Sequence, residues 1–239
     1  MACVLCLAAL AACHGDASRV GDVRFARESG RFVIHAADTH ALDSAGIRIA
    51  ASATGDDVLG VPAALAPPGM HTQVMQFRFR SRGFFTAEPA AHFAVGLGGA
   101  WHKDDPATPQ QDGLLVGRGI VIGNVREAAN GCDTAPAIEI ESFHRYGNRL
   151  LPTSCSVALE DGRWYRLTLA ATRGGGIAYR LDDDHDRPVS TAAAADADAD
   201  VPADLGGWWL LHVFANQHPE HDWSVDIAGL DVRWYPKPD

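Results

Sequence analysis

Hydrophobic and polar residues alternate with a period of two along most of the chain after residue 22, which is the pattern of half-buried β-strands. Turn signals such as Asp161-Gly162 and Gly174-Gly175-Gly176 separate the alternating runs. About a dozen short strands with almost no helical periodicity predict an all-β fold, a two-sheet antiparallel β-sandwich of the jelly-roll type. The strongest runs are 74–80, 91–97, 163–170, 177–181, 208–214 and 223–235.

Two stretches interrupt the pattern. Residues 55–69 are a passage rich in Gly and Pro, and residues 191–201, a low-complexity Ala/Asp segment, are predicted to be a surface loop. Gly96 to Gly99 are expected to be turn glycines, and 91–97 is expected to pair with 74–80. No linker divides the pattern, so residues 22–236 are predicted to form a single domain.

The first residues are predicted to lie outside that domain. An apolar run ends in Leu10-Ala11-Ala12-Cys13, which resembles a bacterial lipobox, although no Lys or Arg precedes the run. We expect residues 1–13 to be a signal and lipobox segment with Cys13 lipidated, and residues 14–21 to be a tether. The protein would then be exported and held at the cell envelope by a lipid anchor in the membrane, on the periplasmic or outer-membrane face.

Cysteine usage and charge agree with export and restrict the partners. Beyond Cys13 only Cys132 and Cys155 remain, and they flank one predicted strand and its turn, so a disulfide between them is expected. Two free buried thiols are the alternative. The formal net charge of −10 argues against nucleic acid, because phosphate binding needs clustered Lys and Arg.

One predicted strand, Ala137 to His144, carries two carboxylates. Ile138 and Ile140 share one parity and Glu139 and Glu141 the other, so burying the Ile side chains places both Glu side chains on the opposite face, roughly 7 Å apart. Like charges this close need a cation, a ligand or a catalytic role.

The second half of the chain resembles a known superfamily. Asp161-Gly162-Arg163-Trp164-Tyr165-Arg166-Leu167, a glycine turn, Tyr179-Arg180-Leu181 and a final strand from Trp223 to Trp234 are similar to the concanavalin A-like lectin/glucanase superfamily. The resemblance covers roughly residues 22 to 235. It implies a sandwich whose last strand pairs near the first, with one bent sheet whose concave face holds glycans or glycan-cleaving residues.

Parity selects candidates for that face. With Phe77, Phe79, Ile138 and Ile140 inward, the other parity carries Arg78, Arg80, Glu139 and Glu141. The run 208–214 adds Trp208, His212 and Phe214 if its other residues pack inside. Arginine, carboxylate and aromatic groups on one sheet suit a saccharide. A structural Arg–Glu network or a solvated face is the alternative.

Three functions follow as hypotheses. The leading one is a cell-envelope lipoprotein whose sandwich binds glycan through Arg78, Arg80, Trp208, Asn216 and His218. The second is a glycoside hydrolase or polysaccharide lyase that uses Glu139, Glu141 and His212 as catalytic residues. However, the laminarinase-type pattern Glu-x-Asp-x-(x)-Glu is incomplete here, since His144 or Arg145 stands where its last Glu is expected. The third is a structural or adhesion module without a small ligand.

No cofactor and no metal are predicted. The aspartate runs, Asp182 to Asp184 and then Asp196, Asp198 and Asp200, leave a calcium site as an alternative, although the Gly and terminal Glu of a helix-loop-helix calcium site are missing. His218, His221 and Asp222 are ligand types in a loop, but their spacing matches no metal signature.

Overall fold

The computed structural model describes residues 18–19, 40–43, 46–50, 56–63, 68–87, 92–101, 115–123, 136–144, 147–154, 157–195, 207–214 and 223–237. These residues form fourteen β-strands and one four-residue helix. The elements are β1 Ser18–Arg19, β2 His40–Asp43, β3 Gly46–Ala50, β4 Asp56–Ala63, β5 Met70–Arg82, α1 Phe84–Ala87, β6 His92–Trp101, β7 Leu115–Gly123, β8 Ala137–His144, β9 Gly147–Ser154, β10 Tyr165–Thr172, β11 Gly176–Asp183, β12 Pro188–Ala195, β13 Gly207–Phe214 and β14 Ser224–Pro236.

The strands form two antiparallel sheets. The eight-stranded sheet has the order β12-β11-β10-β5-β14-β3-β2, and β1 pairs with β14 outside this path. The six-stranded sheet has the order β4-β13-β6-β7-β8-β9. The last strand therefore pairs with the first one described, as the resemblance implied.

The core lies between the two sheets and receives alternate residues from both. Phe77 and Phe79 of the eight-stranded sheet belong to the same buried cluster as Val95, Ile120 and Ile140 of the six-stranded sheet. Phe79 is fully buried, and its ring stacks on Tyr165 with 5.7 Å between centroids. The predicted two-sheet sandwich is confirmed, and so is the inward parity of the Phe and Ile residues.

Four details differ from the sequence predictions. Residues 56–63 of the Gly/Pro-rich passage form β4, and β12 (residues 188–195) takes in the first part of the segment 191–201, which was predicted as a loop. Strand β6 pairs with β7 and β13 instead of with β5, so the expected pairing of 91–97 with 74–80 is wrong. Ser18 and Arg19, assigned to the tether, pair with Trp234 and Arg233.

A bulge in β14 sets which of its residues face the core. The register against β5 shifts between Ala228 and Asp231, and Gly229 takes φ 63° within the shift. A positive φ costs glycine little because it has no Cβ. After the bulge Trp234 is fully buried, while Asp231 and Arg233 are on the other face.

The tight connection between β11 and β12 is organised by Asp183. Its carboxylate accepts hydrogen bonds from the guanidinium groups of Arg163 and Arg187 and from the backbone N–H groups of His185 and Arg187. Burial alone would raise the pKa of this carboxyl, but the hydrogen bonds, led by that of the Arg187 side chain, outweigh burial and hold the pKa well below its usual value.

Asp183→Asn is therefore expected to destabilise the protein at neutral pH, with a deficit that shrinks in acid. A carboxyl whose folded-state pKa is depressed contributes stability above its unfolded-state pKa of about 3.9, and the contribution is lost as the pH falls through the lower folded-state value. Urea midpoints of both proteins across that range measure the difference. Asp184→Asn removes a more exposed carboxylate of the same turn and should have a smaller effect. A deficit that does not change with pH would contradict the assignment.

Candidate functional site

Strand β8 places the two glutamates as its alternation predicts. Ile138 and Ile140 are fully buried in the core, and Glu139 and Glu141 are on the opposite, outer face of the six-stranded sheet. The exposed fractions of Glu139 and Glu141 are 0% and 5%. Neither carboxylate is therefore open to a large substrate, and this weighs against their direct use as acid and base.

The register relates other predicted residues to these glutamates. The row of Glu139 runs across Val121 and Ala94 to His212. Strands lie about 4.8 Å apart, so His212 is three strands, or roughly 14 Å, from Glu139 along the row. The register therefore does not make His212 a neighbour of the two glutamates.

Glycines occupy the centre of the same face. Next to Glu141 in its row are Gly119 of β7 and Gly96 of β6. One row further along, Gly117 and Gly98 lie between Phe143 and Trp208. We call the four residues Gly96, Gly98, Gly117 and Gly119 the glycine rows.

The glycine rows form a patch of the outer face with no side chains. Because glycine lacks a Cβ, β6 and β7 present bare backbone at these four positions, and Gly96 and Gly119 are themselves buried. Gly96 to Gly99, predicted as turn glycines, are strand residues of β6, so that prediction is wrong. That these glycines lie beside those of β7 could be recognised only once β6 was known to pair with β7.

Arg78 and Arg80 are elsewhere in the molecule. They belong to β5, which lies between β10 and β14 in the eight-stranded sheet. Parity correctly turned them away from the core, but it could not tell which sheet they belong to. The set predicted for one face is therefore divided between the outer faces of two sheets.

On the eight-stranded sheet the two arginines share an aromatic platform. The guanidinium carbons of Arg78 and Arg80 lie 5.0 Å and 4.6 Å from the centroid of the Trp164 ring. Both distances are within the range of cation–π attraction. Sequence reasoning did not single out Trp164, although its parity relative to Tyr165 and Leu167 indicates this face.

Two aspartates hold the surrounding arginines. Asp226 accepts hydrogen bonds from Arg80 at 2.7 Å and from Arg82 at 2.9 Å. Asp182 forms an ion pair with Arg180 at 2.8 Å and one with Arg166 at 3.5 Å. These residues and the two arginines over Trp164 form what we call the arginine surface: Arg78, Arg80, Arg82, Trp164, Arg166, Arg180, Asp182 and Asp226.

The carboxylates of the first aspartate run are engaged by arginines. Asp182 and Asp183 bind the guanidinium groups described above, and Asp184 pairs with Arg163 at 3.0 Å. Within the described part of the chain, no group of three or more metal-ligating side chains comes together. The second run, Asp196, Asp198 and Asp200, lies outside the described residues.

Several predicted residues fall outside the described part of the chain. These are Cys13, Cys132, Cys155, Asn216 and His218. The hairpin that the two later cysteines were expected to bridge is present, since β8 pairs with β9 from Ile138–Ser154 to His144–Gly147. Among the described residues, no helix is long and apolar enough to cross a membrane.

Comparison with known proteins identifies the fold. No protein-family model and no curated protein matches the chain. Solved structures do match. Peanut lectin superposes with a TM-score of 0.57 at 10% identity, covering 94% of this chain and 100% of the lectin.

Two further structures agree with this match. The VIP36 exoplasmic/lumenal domain in its Ca²⁺/Man3GlcNAc-bound form has a TM-score of 0.57 at 12% identity, over 84% of this chain and 82% of VIP36. Lectin II from Ulex europaeus has a TM-score of 0.54 at 10% identity, over 82% and 89% of the two chains. The protein therefore has the concanavalin A-like lectin fold. At these identities the likeness establishes the fold alone.

Proposed function

We propose that this protein binds carbohydrate on the outer face of its six-stranded sheet, with the glycine rows as the floor of the site. The observation that carries the proposal is the position of Gly96, Gly98, Gly117 and Gly119 at the centre of one sheet face. A bare backbone floor two strands wide accepts a flat ring, which a face filled with side chains would exclude.

The residues at the borders of this floor have the chemistry that sugars require. Trp208 is in the register row of Gly98, and Glu141 is beside Gly119. An indole ring packs against the apolar face of a sugar. The Glu141 carboxylate is buried, so it borders the floor and is not proposed as a direct sugar contact. The fold agrees with this proposal, because two of the matched structures are named as lectins and a third holds Man3GlcNAc.

Glycan cleavage is the less favoured reading of this face. The burial of Glu139 and Glu141 and the distance of His212 along its row leave no described acid–base pair open to a substrate. We therefore assign no catalytic role to Glu139 and Glu141, which are buried beside the site. Asn216 and His218, whose amide and imidazole groups suit sugar hydroxyls, are proposed as further ligand-binding residues on the basis of the sequence.

A glycan array tests the proposal, using the soluble form that begins after Cys13. We expect retention of a defined set of glycans, with the bound glycans recovered unchanged when they are analysed after incubation. A protein that binds no glycan on the array would contradict carbohydrate binding. Cleaved products would replace the binding proposal with an enzymatic one.

We also propose that the protein is exported and anchored to the cell envelope through lipid on Cys13. Its support is the Leu10-Ala11-Ala12-Cys13 sequence and the match to an exoplasmic/lumenal domain. Cys13→Ala is expected to move the protein from the membrane fraction to the soluble fraction, and mass spectrometry of the wild-type protein should show a lipidated Cys13. An unmodified Cys13 in the membrane fraction would contradict the anchor.

Export would favour a disulfide between Cys132 and Cys155, which we propose as a bridge next to the β8–β9 hairpin. Closing a loop of this size contributes roughly 3 kcal/mol in the chain-entropy model. Thiol titration of the unfolded protein, with and without reductant, should show these two thiols only after reduction.

A further inference from the structure

We propose that the arginine surface is a second binding site, specific for the carboxylate groups of an acidic polysaccharide. It lies on the outer face of the eight-stranded sheet, whereas the glycine rows lie on the outer face of the six-stranded sheet. The two sites are therefore separate, and neither proposal depends on the other.

Arg78 is the centre of this site. It is exposed, and among the described residues its side chain contacts the Trp164 ring but forms no ion pair or hydrogen bond. Its neighbour across the sheet, Arg166, pairs with Asp182 and with Asp186. Arg78 thus offers a full set of guanidinium donors to a ligand.

The surroundings hold Arg78 and Arg80 in place before a ligand arrives. Trp164 lies beneath both guanidinium groups. Arg80 donates hydrogen bonds from its Nε and Nη2 atoms to the Asp226 carboxylate at 3.1 Å and 2.7 Å, which fixes the arginine side chain. A side chain that is already ordered loses less rotamer entropy on binding. Arg80 remains 25% exposed, so it can approach the same ligand from the side.

The local charge is positive although the whole chain is acidic. On this face the guanidinium groups of Arg78, Arg80, Arg82, Arg166 and Arg180 are accompanied by the carboxylates of Asp182, Asp186 and Asp226. Positive charge is therefore in excess here, in a protein of net charge −10. Such an isolated positive patch attracts anions and orients them.

The types of side chain point to carboxylate on a sugar polymer. The planar guanidinium fork matches a carboxylate through two parallel hydrogen bonds. Beside Arg78 along β5, Gln76 donates a hydrogen bond to Thr168 at 2.9 Å, which adds uncharged amide and hydroxyl groups suited to sugar hydroxyls. Uncharged polar groups therefore lie next to the charged ones on this face, as hydroxyls lie next to carboxylates along an acidic polysaccharide.

Other polyanions fit this surface less well. A membrane surface favours clusters of unpaired basic residues, and most of these arginines already bind aspartates. Nucleic acid needs a larger excess of positive charge and open aromatic faces for its bases, but guanidinium groups cover Trp164.

The test is binding of polygalacturonate to the wild-type protein and to Arg78→Gln. We expect wild-type binding that weakens with added salt, and a loss of about tenfold or more in Arg78→Gln, as for removal of one charge-assisted hydrogen-bonding group. Arg173→Gln is the matched control. It removes the same charge from an exposed residue of the β10–β11 turn and should bind like the wild type.

Further probes make the specificity testable. Carboxyl-reduced polygalacturonate should not bind, and neither vesicles of phosphatidylglycerol and phosphatidylcholine nor single-stranded DNA should bind as tightly as the polyuronate. Equal losses in Arg78→Gln and Arg173→Gln would overturn the site. Tighter binding of the vesicles or the DNA would overturn the choice of polysaccharide. Trp208→Ala should leave polyuronate binding intact. Failure of the proposed arginine-surface site can therefore be distinguished from failure of the proposed carbohydrate site at the glycine rows.

Discussion

Phe79→Ala is expected to lower the free energy of unfolding by about 3–5 kcal/mol, the usual cost of deleting a fully buried aromatic side chain. Phe79 has no solvent exposure, and its ring lies 5.7 Å from that of Tyr165 and 6.4 Å from that of Phe77. The cavity would open between the two sheets, where neither sheet can close it without breaking its own register.

Urea unfolding followed by tryptophan fluorescence measures this loss by linear extrapolation. Phe79→Leu is the matched variant, because it keeps an apolar side chain at the site and should cost less. Since a domain is stable by only about 5–15 kcal/mol in total, Phe79→Ala should also shift the thermal midpoint clearly. A loss below about 1 kcal/mol would show that Phe79 is not part of the closely packed centre.

Trp208→Ala is expected to weaken binding of the neutral glycan found on the array by about thirtyfold or more, since an aromatic hot spot contributes about 2 kcal/mol or more. The reason is that Trp208 is in the register row of Gly98 and Gly117, and an indole ring is well suited to stack on the apolar face of a sugar. Calorimetric titration of wild type and variant with that glycan gives the ratio.

Trp164→Ala is the matched control for this substitution. It removes the same kind of side chain from the other sheet, next to Arg78 and Arg80. It should leave neutral glycan binding unchanged and reduce polyuronate binding, the reverse of what Trp208→Ala should do. If Trp208→Ala binds the neutral glycan like the wild type while its thermal unfolding is unaltered, the glycine rows are not the site.

Much of the fold could be predicted from local alternation. The parity of β5 and β8 correctly placed Phe77, Phe79, Ile138 and Ile140 in the core, because side-chain direction within a strand depends on sequence position alone. Strands were missed where their amino-acid composition hides the alternation of apolar and polar residues. The Ala run of β12 and the Pro- and Gly-containing β4 resemble loops, yet neighbouring strands supply their hydrogen-bond partners.

The candidate sites were predicted less well than the fold. Arg78 and Glu139 both have outward parity, but the chain assigns β5 and β8 to different sheets. The strand order depends on long-range pairing, and the alternation of residues within β5 or β8 carries no information about it. The same limit hid the glycine rows, since Gly96 and Gly119 become neighbours only through the pairing of β6 with β7.

The amino-acid sequence by itself determined the all-β class, the two-layer arrangement and the core-facing side of β5 and β8, because these follow from side-chain volume and polarity at alternate positions. Only the tertiary structure decided which outward faces coincide. It separated Arg78 and Arg80 from Glu139 and Glu141, placed Trp164 beneath the two arginines, and brought four glycines together beside Glu141. The physical reason is that a strand's partners are selected by the packing of the whole core, so residues distant in sequence become neighbours only after both sheets have formed.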